Sequence, residues 1–436
     1  MKRVLIVSPY FPPGNAPDMQ RVRMSLPYYR ANGWEPVVLA VGSDWQGCLL
    51  DDELLDTLPP EVRIVRTRAF SPRWTRRVGV GNMGLRAWPF FFWRGTRLLG
   101  RERFDLVFFS TSQHIAFTLG PIWKRWFGVP YVLDVQDPWR TGYYEREGAR
   151  NPPGGWKYQF ARFQAWLFEG WCFRNAAAIM SVSDRLIEDL RSRHPRLART
   201  PGAALPFGAS RNDFARAALK PGPGGTRPRG AGERHLVYTG VSGPVMSQAL
   251  LVLFTGLRRY RERFPEKAGR LRLHFIGTSY GLPGQQRPSV LPIAEQCGTA
   301  DLVEEILPRT GFLNSIRLQR DAGTLLLLGS NDPDYSPSKV FQYYLAERPI
   351  LGLVLHGSIM EALLDRLSCA FLVRFRETGP GDDTCDELAR AFDRILDDRL
   401  MAGLPPRNEA FFRENFLADE SARRQCALFE SAASAS

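Results

Sequence analysis

Residues 324–355 read TLLLLGSNDPDYSPSKVFQYYLAERPILGLVL, and this stretch decides the fold class of the chain. The apolar run at 325–328 is typical of a strand buried on both faces of a parallel sheet. Ser336 and Pro337 predict the start of a helix, and Ile350–Leu355 predicts the next buried strand. The loop between strand and helix follows the carboxyl end of its strand, where open parallel sheets bind ligands. Lys339, near the helix N-terminus, would suit a phosphate, although most lysines in such positions are solvated.

The composition is that of a basic globular protein with more than one domain. The chain has 436 residues and a formal net charge of +13, which favours nucleotide diphosphates, anionic lipid headgroups or nucleic acid as partners. The six cysteines form no C-x-x-C pair, so we interpret them as reduced thiols of a cytoplasmic protein. We find neither a secretion signal nor an apolar run of membrane-spanning length. No nucleic-acid-binding motif accompanies the charge, so nucleic acid is not expected as a partner.

Strand and helix patterns alternate in both halves of the chain and predict two α/β domains. The loop after the first strand pattern, at residues 4–7, is not the G-x-G-x-x-G fingerprint, which argues against a nicotinamide or flavin enzyme. Residues 220–233 are rich in proline and glycine and are interpreted as linker. We therefore expect a first domain at 1–212, a linker at 213–233, a second domain at 234–406 and a terminal helical segment at 407–436.

Residues 71–104 combine eight arginines with a single acid, Glu102. The arginines are Arg73, Arg76, Arg77, Arg86, Arg94, Arg97, Arg101 and Arg103, and the interleaved aromatic residues are Trp74, Trp88, Phe90, Phe91, Phe92 and Trp93. Arginine with Trp and Phe is typical of a segment in a membrane interface. The alternative is that the aromatic residues form core and the arginines a solvated rim. We favour the first, and predict peripheral contact with an anionic membrane at the inner face of the cell membrane.

Short motifs follow one another across most of the chain. In the first half they are YFPPG at 10–14 with Arg21, GWEPVVL at 33–39, GVPYVLDVQDPW at 128–139, AAAIMSVS at 176–183 and LPFG at 205–208. In the second half they are YTG at 238–240, FIGT at 275–278 and GSNDPDYSPSK at 329–339. In order and spacing they resemble GT-B glycosyltransferases of the family 4-like kind found in bacterial surface-polysaccharide clusters. Gln136 stands where that family usually has arginine.

The resemblance implies an α/β fold of the GT-B type, with two Rossmann-like domains facing a central cleft and a C-terminal helix returning to the N-terminal domain. The second domain would hold a nucleotide-diphosphate sugar as co-substrate, with no further cofactor, and the first would hold the acceptor. The donor-binding residues it implies are Gly14, Arg21, Gly240, Gly243, Ser330, Asp334, Ser338, Lys339 and Gln342.

Two departures from the family pattern concern the donor site. Asp334 and Gln342 stand where the family often has two glutamates, so Gln342 would bond a ribose hydroxyl without a charge. Val241 and Ser247 occupy the region where many relatives carry a basic pair, which leaves more of the phosphate contact to Lys339.

His114 and Asp137 are the catalytic candidates of the first domain. His114 bonds either a sugar or acceptor hydroxyl or a neighbouring backbone group. Asp137 is either a base for the acceptor hydroxyl or a turn-forming aspartate. The family favours retention of anomeric configuration, in which the leaving phosphate can serve as the base, and the sequence leaves the stereochemistry open.

Asp332-Pro333-Asp334 spells the D-x-D pattern that holds a metal in the other glycosyltransferase fold. Proline between two acids is ordinary turn chemistry, so we expect no metal. We predict sugar transfer to a glycan or polyprenyl-linked acceptor in cell-surface polysaccharide biosynthesis. Two alternatives stay open: a nucleotide-sugar epimerase or hydrolase of the same fold, and a non-catalytic scaffold docked at the membrane.

Overall fold

The computed structural model describes residues 1–75, 77, 80–140, 155–221, 232–279, 284, 286–335, 338–377 and 379–434. These residues form two compact units, each built around its own parallel sheet. Unit 1 comprises Met1–Phe207 with Asn415–Ser436, and unit 2 comprises Gly208–Glu414. The predicted α/β class is confirmed.

Unit 1 contains a seven-stranded sheet. Its strands are β1 (Lys2–Val7), β2 (Trp34–Val41), β3 (Arg63–Thr67), β4 (Leu106–Ser110), β5 (Tyr131–Val135), β6 (Ala178–Ser181) and β7 (Gly202–Ala204). They pair in parallel in the order β3-β2-β1-β4-β5-β6-β7. Every residue of β4 and β5 is buried, including the polar Ser110 and Asp134 within these mainly apolar strands. The order reverses between β1 and β4, so the loops that follow these two strands diverge and leave a crevice at their carboxyl ends.

Helices join the strands of unit 1. The α-helices before the terminal segment are α1 (Gln20–Tyr29), α2 (Ser43–Gln46), α3 (Pro72–Thr75), α4 (Met83–Leu99), α5 (Leu119–Phe127), α6 (Trp156–Arg174) and α7 (Asp184–Arg193). The 3-10 helices are Pro17–Met19, Arg30–Asn32, Asp52–Thr57, His114–Thr118 and Pro195–Arg199. Local sequence fixes several helix starts; the Ser183 hydroxyl, for example, caps α7 by accepting from the Leu186 N–H.

The arginine-rich segment 71–104 contributes both core and surface. Phe91 is fully buried, whereas Trp74 and Trp93 are 70% and 74% exposed. Arg86 is buried and donates to the carbonyl oxygens of Phe70 and Trp45, at 2.7 Å each. The core interpretation therefore describes the buried part of this segment, and membrane contact of its exposed part stays a prediction. Arg76 lies outside the described residues. In the part of the chain that is described, no helix combines the length and apolar character needed to cross a membrane.

Unit 2 contains a six-stranded sheet. Its strands are β8 (Arg234–Thr239), β9 (Leu271–Ile276), β10 (Val303–Ile306), β11 (Thr324–Leu328), β12 (Ile350–Leu355) and β13 (Phe371–Phe375). They pair in parallel in the order β10-β9-β8-β11-β12-β13, which reverses between β8 and β11. The strands β3, β7, β10 and β13, which the sequence patterns do not predict, are the edge strands of the two sheets. These strands are partly exposed; β3, β10 and β13 carry charged residues and β7 has only three residues, so their apolar signal is weak.

The helices of unit 2 begin with one inside the predicted linker. They are α8 (Arg211–Ala218), α9 (Ser247–Arg263), α10 (Pro265–Ala268), α11 (Leu291–Gln296), α12 (Phe312–Asp321), α13 (Lys339–Ala346), α14 (Ile359–Leu367) and α15 (Asp382–Leu396), with 3-10 helices at Pro244–Met246 and Ala300–Leu302. The helix predicted from Ser336 is α13; Ser336 and Pro337 themselves lie outside the described residues. It ends before Pro349, because Glu347 adopts a left-handed conformation with φ of 56°.

The predicted linker boundaries are wrong at their amino-terminal side. Unit 2 begins at Gly208, and residues 213–218 belong to α8 rather than to a linker. Ala217 packs with Leu313 and Ile316 of α12, and its carbonyl oxygen accepts from Arg317 Nε at 3.0 Å. The apolar residues of α8 therefore attach it to unit 2. The Pro/Gly-rich residues 222–231 of the predicted linker lie outside the described residues.

The chain ends in two helices, α16 (Glu409–Phe416) and α17 (Ala418–Ser434), where the sequence predicts one over 411–430. The helix α17 lies in unit 1, as the fold prediction placed it, and packs on α1. The Tyr29 hydroxyl donates to Gln425 Oε1 at 2.7 Å. Phe429 inserts between the rings of Trp34 and Phe108, with centroids 5.6 and 4.9 Å away.

Candidate functional site

The residues predicted to bind the donor in unit 2 lie around the carboxyl ends of β8 and β11. These neighbouring strands mark the reversal of strand order, where an open parallel sheet has its ligand crevice. Gly240 and Gly243 lie in the loop after β8, Ser330 and Asp334 in the loop after β11, and Ser338, Lys339 and Gln342 at the start of α13. All seven therefore belong to one edge of one sheet.

The amine of Lys339 reaches from α13 to the loop after β8. Its Nζ donates to the Tyr238 hydroxyl at 2.5 Å and lies 4.2 Å from the centroid of that ring. A longer contact of 3.4 Å joins Nζ to the Val241 carbonyl oxygen. Gly240 permits this approach, because a Cβ atom there would lie 2.5 Å from Lys339 Cε. Lys339 is the first residue of α13, so it lies at the N-terminus of this helix, as predicted.

The charge state of Lys339 is unusual for a lysine. Burial, and to a smaller extent the positive charge of Arg309, lowers the pKa of Lys339 to about 7. None of the described carboxylates forms an ion pair with its amine. An anion beside Nζ would restore the charge, because an opposite charge raises the pKa of an amine. A desolvated cation without an acid is typical of a functional site.

The loop after β8 offers fewer backbone donors than predicted. Gly240 has φ of +115°, which favours glycine, and donates its N–H to the Ile276 carbonyl oxygen at 2.7 Å. The Ser242 N–H donates to the Thr278 carbonyl oxygen at 3.1 Å. These two backbone amides are therefore used within the unit. Gly243 has open space where a Cβ would stand and caps the 3-10 helix that follows.

The loop after β11 forms the turn expected of its D-x-D pattern. The Ser330 hydroxyl is buried and accepts from the Asp332 N–H at 3.0 Å, so its contact is with the turn. Asp332 Oδ1 accepts from the Asp334 N–H at 2.9 Å. Asp334 and Ser338 are exposed. Over the residues that the structure describes, no group of three or more His, Cys, Asp or Glu side chains is arranged to hold a metal ion.

Gln342 belongs to a polar network beneath this edge. Its Oε1 accepts from Gln319 Nε2 at 3.3 Å, and Gln319 Nε2 also lies 3.0 Å from the hydroxyls of Thr239 and Ser315. The Tyr343 hydroxyl accepts from the Thr239 N–H at 3.0 Å. Gln342 is therefore held by neighbouring side chains, and its ribose contact stays a prediction.

The prediction that Arg21 binds a phosphate is wrong. Arg21 is 2% exposed, and its Nε donates to Asp134 Oδ2 at 2.8 Å while Nη2 donates to the Leu205 carbonyl oxygen at 2.7 Å. Ser110 Oγ and Gln136 Nε2 donate to the same carboxylate oxygen, at 2.7 and 3.0 Å. Asp134 is a fully buried residue of β5, and a buried carboxylate needs such a cation. Arg21 is thus a structural partner of Asp134.

Gly14 also has an internal role instead of the predicted phosphate contact. A Cβ atom at Gly14 would lie 1.8 Å from Gln46 Oε1, so only glycine fits against this side chain. Gln46 is buried, and its Nε2 donates to the carbonyl oxygens of Phe11 and Val41, at 2.9 Å each. Position 14 needs a glycine because another group lies very close to it, and that group is the side chain of Gln46.

His114 and Asp137 contact each other through the backbone. His114 Nε2 lies 2.9 Å from the Asp137 carbonyl oxygen, so this nitrogen contacts the backbone, while a contact of His114 with a sugar or acceptor hydroxyl stays a prediction. Its ring stacks on Trp139, with centroids 5.5 Å apart and planes at 15°. Burial lowers the pKa of His114 to about 4, so the ring is neutral at physiological pH and its Nε2–H donates to that oxygen. The carboxylate of Asp137 is exposed, and its role as a base stays a prediction.

Two charged residues of the candidate sites were not found from the sequence. Asp18 is 6% exposed beside the crevice of unit 1, where it accepts from the Thr111 hydroxyl at 2.9 Å. Burial raises the pKa of Asp18 to about 6. Arg309 follows β10 and supplies the positive charge felt by Lys339. Asp18 and Arg309 both follow the carboxyl end of a strand, and this position in the sequence could have identified them as candidate site residues.

A family model matches the first part of the chain. The model describes the glycosyl transferase 4-like domain and matches residues 20–207, which include His114 and Asp137. No curated protein matches the chain in sequence.

Solved structures match the fold over nearly the whole chain. A trehalose 6-phosphate synthase from Burkholderia multivorans has a TM-score of 0.59 at 14% identity, covering 100% of this chain and 98% of that one. A putative UDP-N-acetylglucosamine 2-epimerase from Listeria monocytogenes has a TM-score of 0.53 at 12% identity, with coverages of 99% and 96%. An E. coli structure described as trehalose-6-phosphate bound with UDP-2-fluoro glucose has a TM-score of 0.55 at 14% identity, with coverages of 98% and 99%. At these identities the similarity shows the fold, while the family model identifies the kind of domain. The chain therefore shares the two-unit α/β fold of these structures, and its residues 20–207 match the glycosyl transferase 4-like domain.

Proposed function

We propose that the chain transfers a sugar from a nucleotide-diphosphate sugar to a lipid-linked glycan acceptor, and that unit 2 holds the donor diphosphate through Lys339. The observation that carries this proposal is the position and charge state of one amine. Lys339 Nζ lies at the reversal of strand order, at the N-terminus of α13, and its pKa is lowered to about 7. It forms no ion pair with any carboxylate among the described residues. A diphosphate there would recharge the amine and gain a charge-assisted hydrogen bond.

The position of Lys339 at the N-terminus of α13 would also stabilise the nucleoside diphosphate as a leaving group. When the bond to the sugar breaks, negative charge grows on the leaving phosphate, and fixed cations and helix N-termini stabilise that charge. Lys339 and Arg309 supply two cations in place of the basic pair that is missing from the loop after β8. We therefore propose that transfer is metal-independent and needs no cofactor beyond the nucleotide sugar. The bound UDP-2-fluoro glucose of the E. coli structure with this fold supports a nucleotide-sugar donor.

Unit 1 is proposed to hold the acceptor. Because the Nε2–H of His114 is donated to the Asp137 carbonyl oxygen, the remaining ring nitrogen, Nδ1, is the one that can accept from a hydroxyl of the sugar or acceptor. We propose transfer with retention, in which the leaving phosphate takes the acceptor proton. The basic, aromatic surface of unit 1 supports an acceptor carried on a lipid at the cytoplasmic face of the membrane, as in cell-surface polysaccharide biosynthesis.

The test is turnover with a panel of UDP-, GDP- and TDP-sugars, each combined with polyprenyl-diphosphate glycans, with and without EDTA. We expect one donor to raise the melting temperature and to be consumed only when an acceptor is present. Transfer should survive EDTA, and proton NMR of the product should show the donor's anomeric configuration. No thermal shift and no turnover with any donor would contradict the proposal.

The epimerase alternative is supported by the fold shared with the putative epimerase from Listeria monocytogenes. An epimerase would convert one nucleotide sugar into another with no acceptor present, and a hydrolase would release free sugar. Analysing the acceptor-free reactions by NMR separates both from transfer. Donor binding without any product from either arm would favour the non-catalytic scaffold.

A further inference from the structure

The helix α6 presents large apolar side chains to solvent along one side. Phe160, Phe163, Trp166 and Leu167 are 46%, 56%, 64% and 47% exposed, respectively. Their spacing of three and four residues places them on one face of the helix, here called the α6 face. The rings of Phe163 and Trp166 stack on each other, with centroids 6.1 Å apart. The opposite side of α6 is buried through Ala165, Glu169, Cys172 and Phe173, so the α6 face is not needed for the core of unit 1.

An open groove extends from the carboxyl-terminal end of α6. It has a volume of about 640 Å³ and lies among α4, α5 and α6, with Trp171, Phe92 and Trp126 in its lining. Trp126 is 55% exposed and makes an edge-to-face contact with Phe92, at a centroid distance of 5.4 Å. Lys124 and Arg125 of α5 line the same groove. Aromatic surface and positive charge therefore occur together here.

The three helices around the groove are strongly basic. Helices α4, α5 and α6 carry three, two and three Lys and Arg residues, and their one acid is Glu169. Glu169 is fully buried and paired with Arg193 and His194, at 3.2 and 3.0 Å, so it does not offset the surface charge. Exposed Trp and Phe surrounded by cations of one sign match the headgroup region of an anionic bilayer, where aromatic rings enter the interface and cations meet lipid phosphates.

We propose that the α6 face docks unit 1 onto a lipid bilayer that contains anionic headgroups, with Phe163 and Trp166 entering the interface and Arg94 and Arg125 contacting phosphates. This inference deepens the lipid-linked acceptor of the proposed function by naming the surface that meets the membrane. It places the main contact on α6 and α5, outside residues 71–104, although α4 of that segment takes part.

The test is co-sedimentation of the full chain with vesicles, without nucleotide or acceptor. We expect stronger binding to phosphatidylcholine vesicles that contain phosphatidylglycerol than to phosphatidylcholine alone, and weaker binding as salt is added. Phe163→Ser with Trp166→Ser should lower the partition coefficient at least about tenfold, since both exposed rings lose burial in the interface. Trp74→Ser is the matched control, because Trp74 is 70% exposed in the arginine-rich segment but lies outside the α6 face, and should change binding less than about twofold.

A charge variant tests the second half of the proposal. Arg94→Gln with Arg125→Gln should abolish most of the preference for phosphatidylglycerol while retaining weak binding to phosphatidylcholine. It also keeps the proposal testable if the aromatic variant does not fold, which circular dichroism would reveal.

Four outcomes would overturn the proposal. The first three are a wild-type protein that does not bind vesicles, an aromatic variant that binds vesicles as strongly as the wild type, and a Trp74→Ser variant that loses as much vesicle binding as the aromatic variant. The fourth is a wild-type dimer that the aromatic substitutions convert to a monomer. The last would show that a second copy of the chain covers the α6 face. UDP-dependent thermal shifts of the same proteins separate this inference from the proposed function, because unit 2 contains none of the substituted residues. Failed vesicle binding with intact UDP binding would overturn the docking alone.

Discussion

The two units each carry a basic side chain at the carboxyl edge of a parallel sheet, but they differ in what neutralises it. In unit 1, Arg21 is buried against Asp134, and Ser110 and Gln136 complete the hydrogen bonds of that carboxylate. In unit 2, Lys339 has a tyrosine hydroxyl and a carbonyl oxygen as partners, and its pKa is lowered to about 7. The first cation is paired with an acid within its unit, whereas the second is only partly charged at neutral pH.

This difference separates structural from functional cations. Removing one partner of a buried ion pair leaves the other charge uncompensated, so the effect falls on stability. Removing a desolvated cation that has no acid relieves an unfavourable burial, so stability rises while anion binding is lost. Substituting Arg21 is therefore expected to lower stability and substituting Lys339 to raise it. Measurements that report on one unit at a time distinguish these two effects.

The largest change in the free energy of unfolding is expected on substituting Arg21. Arg21→Met should lower the free energy of unfolding by about 3–5 kcal/mol, because Asp134 would stay buried without a cation. Hydrogen exchange of the amides in β1, β4 and β5 reports this loss for unit 1 alone. The control is Arg30→Met, whose pair with Glu35 is about 40% exposed on both sides and is worth less than about 1 kcal/mol. A stable Arg21→Met protein that no longer binds the donor would make Arg21 a ligand after all.

Lys339→Met should act in the opposite direction on stability. We expect about 10- to 100-fold weaker binding of the nucleotide donor, the range of a hydrogen bond to a charged group. The melting temperature of the free protein should rise, because methionine fills a similar volume without a desolvated amine. Calorimetry and thermal unfolding measure the two effects. Lys267→Met, at a surface pair with Asp393, is the control and should change neither. Unchanged donor affinity in Lys339→Met would show that the diphosphate lies elsewhere.

The pH dependence of donor binding should follow Lys339. Its pKa in the free protein is about 7, and a diphosphate would raise that value, so binding above pH 7 takes up to one proton. Affinity should fall as pH rises from about 7 to 9, by at most about tenfold per unit. The free protein should behave oppositely: the unfolded state binds this proton more tightly, so the group's contribution to stability rises with pH above about 7. Titration calorimetry in buffers of different ionisation enthalpy measures the proton uptake, and Lys339→Met should show none.

Central strands could be predicted from the sequence, while edge strands could not. Strand β12, ILGLVL, has no polar residue because neighbours cover both of its faces, and its predicted bounds match the structure. By contrast, β10 reads VEEI and alternates half-buried with exposed residues at the edge of its sheet. Its charged residues weaken the apolar signal, as charged residues do at many sheet edges.

The positions of the candidate site residues could be predicted from the sequence, whereas their contacts could not. Topology brings residues to the carboxyl edge of a sheet, and the motifs of unit 2 could therefore be located from their positions after strands. The partners of each side chain depend on residues far away in sequence. Arg21 and Asp134 are 113 positions apart, and nothing local to Arg21 shows that its charge is already neutralised. Lys339 and Arg21 both lie at the start of a helix, so their three-dimensional surroundings are needed to distinguish the two cations.

The smallest loss of donor affinity is expected at Gln342, which can be compared with Lys339 in the same unit. Gln342→Ala should weaken donor binding less than about threefold, because its Oε1 is occupied by Gln319 and a neutral contact is worth less than a charged one. Gln342→Glu should instead move the pH profile, since a carboxylate three residues after Lys339 on α13 raises the pKa of the amine. Donor affinity would then stay constant to higher pH than in the wild type. A larger loss in Gln342→Ala than in Lys339→Met, measured by the same calorimetry, would place the dominant donor contact at the ribose and contradict the role assigned to the lysine.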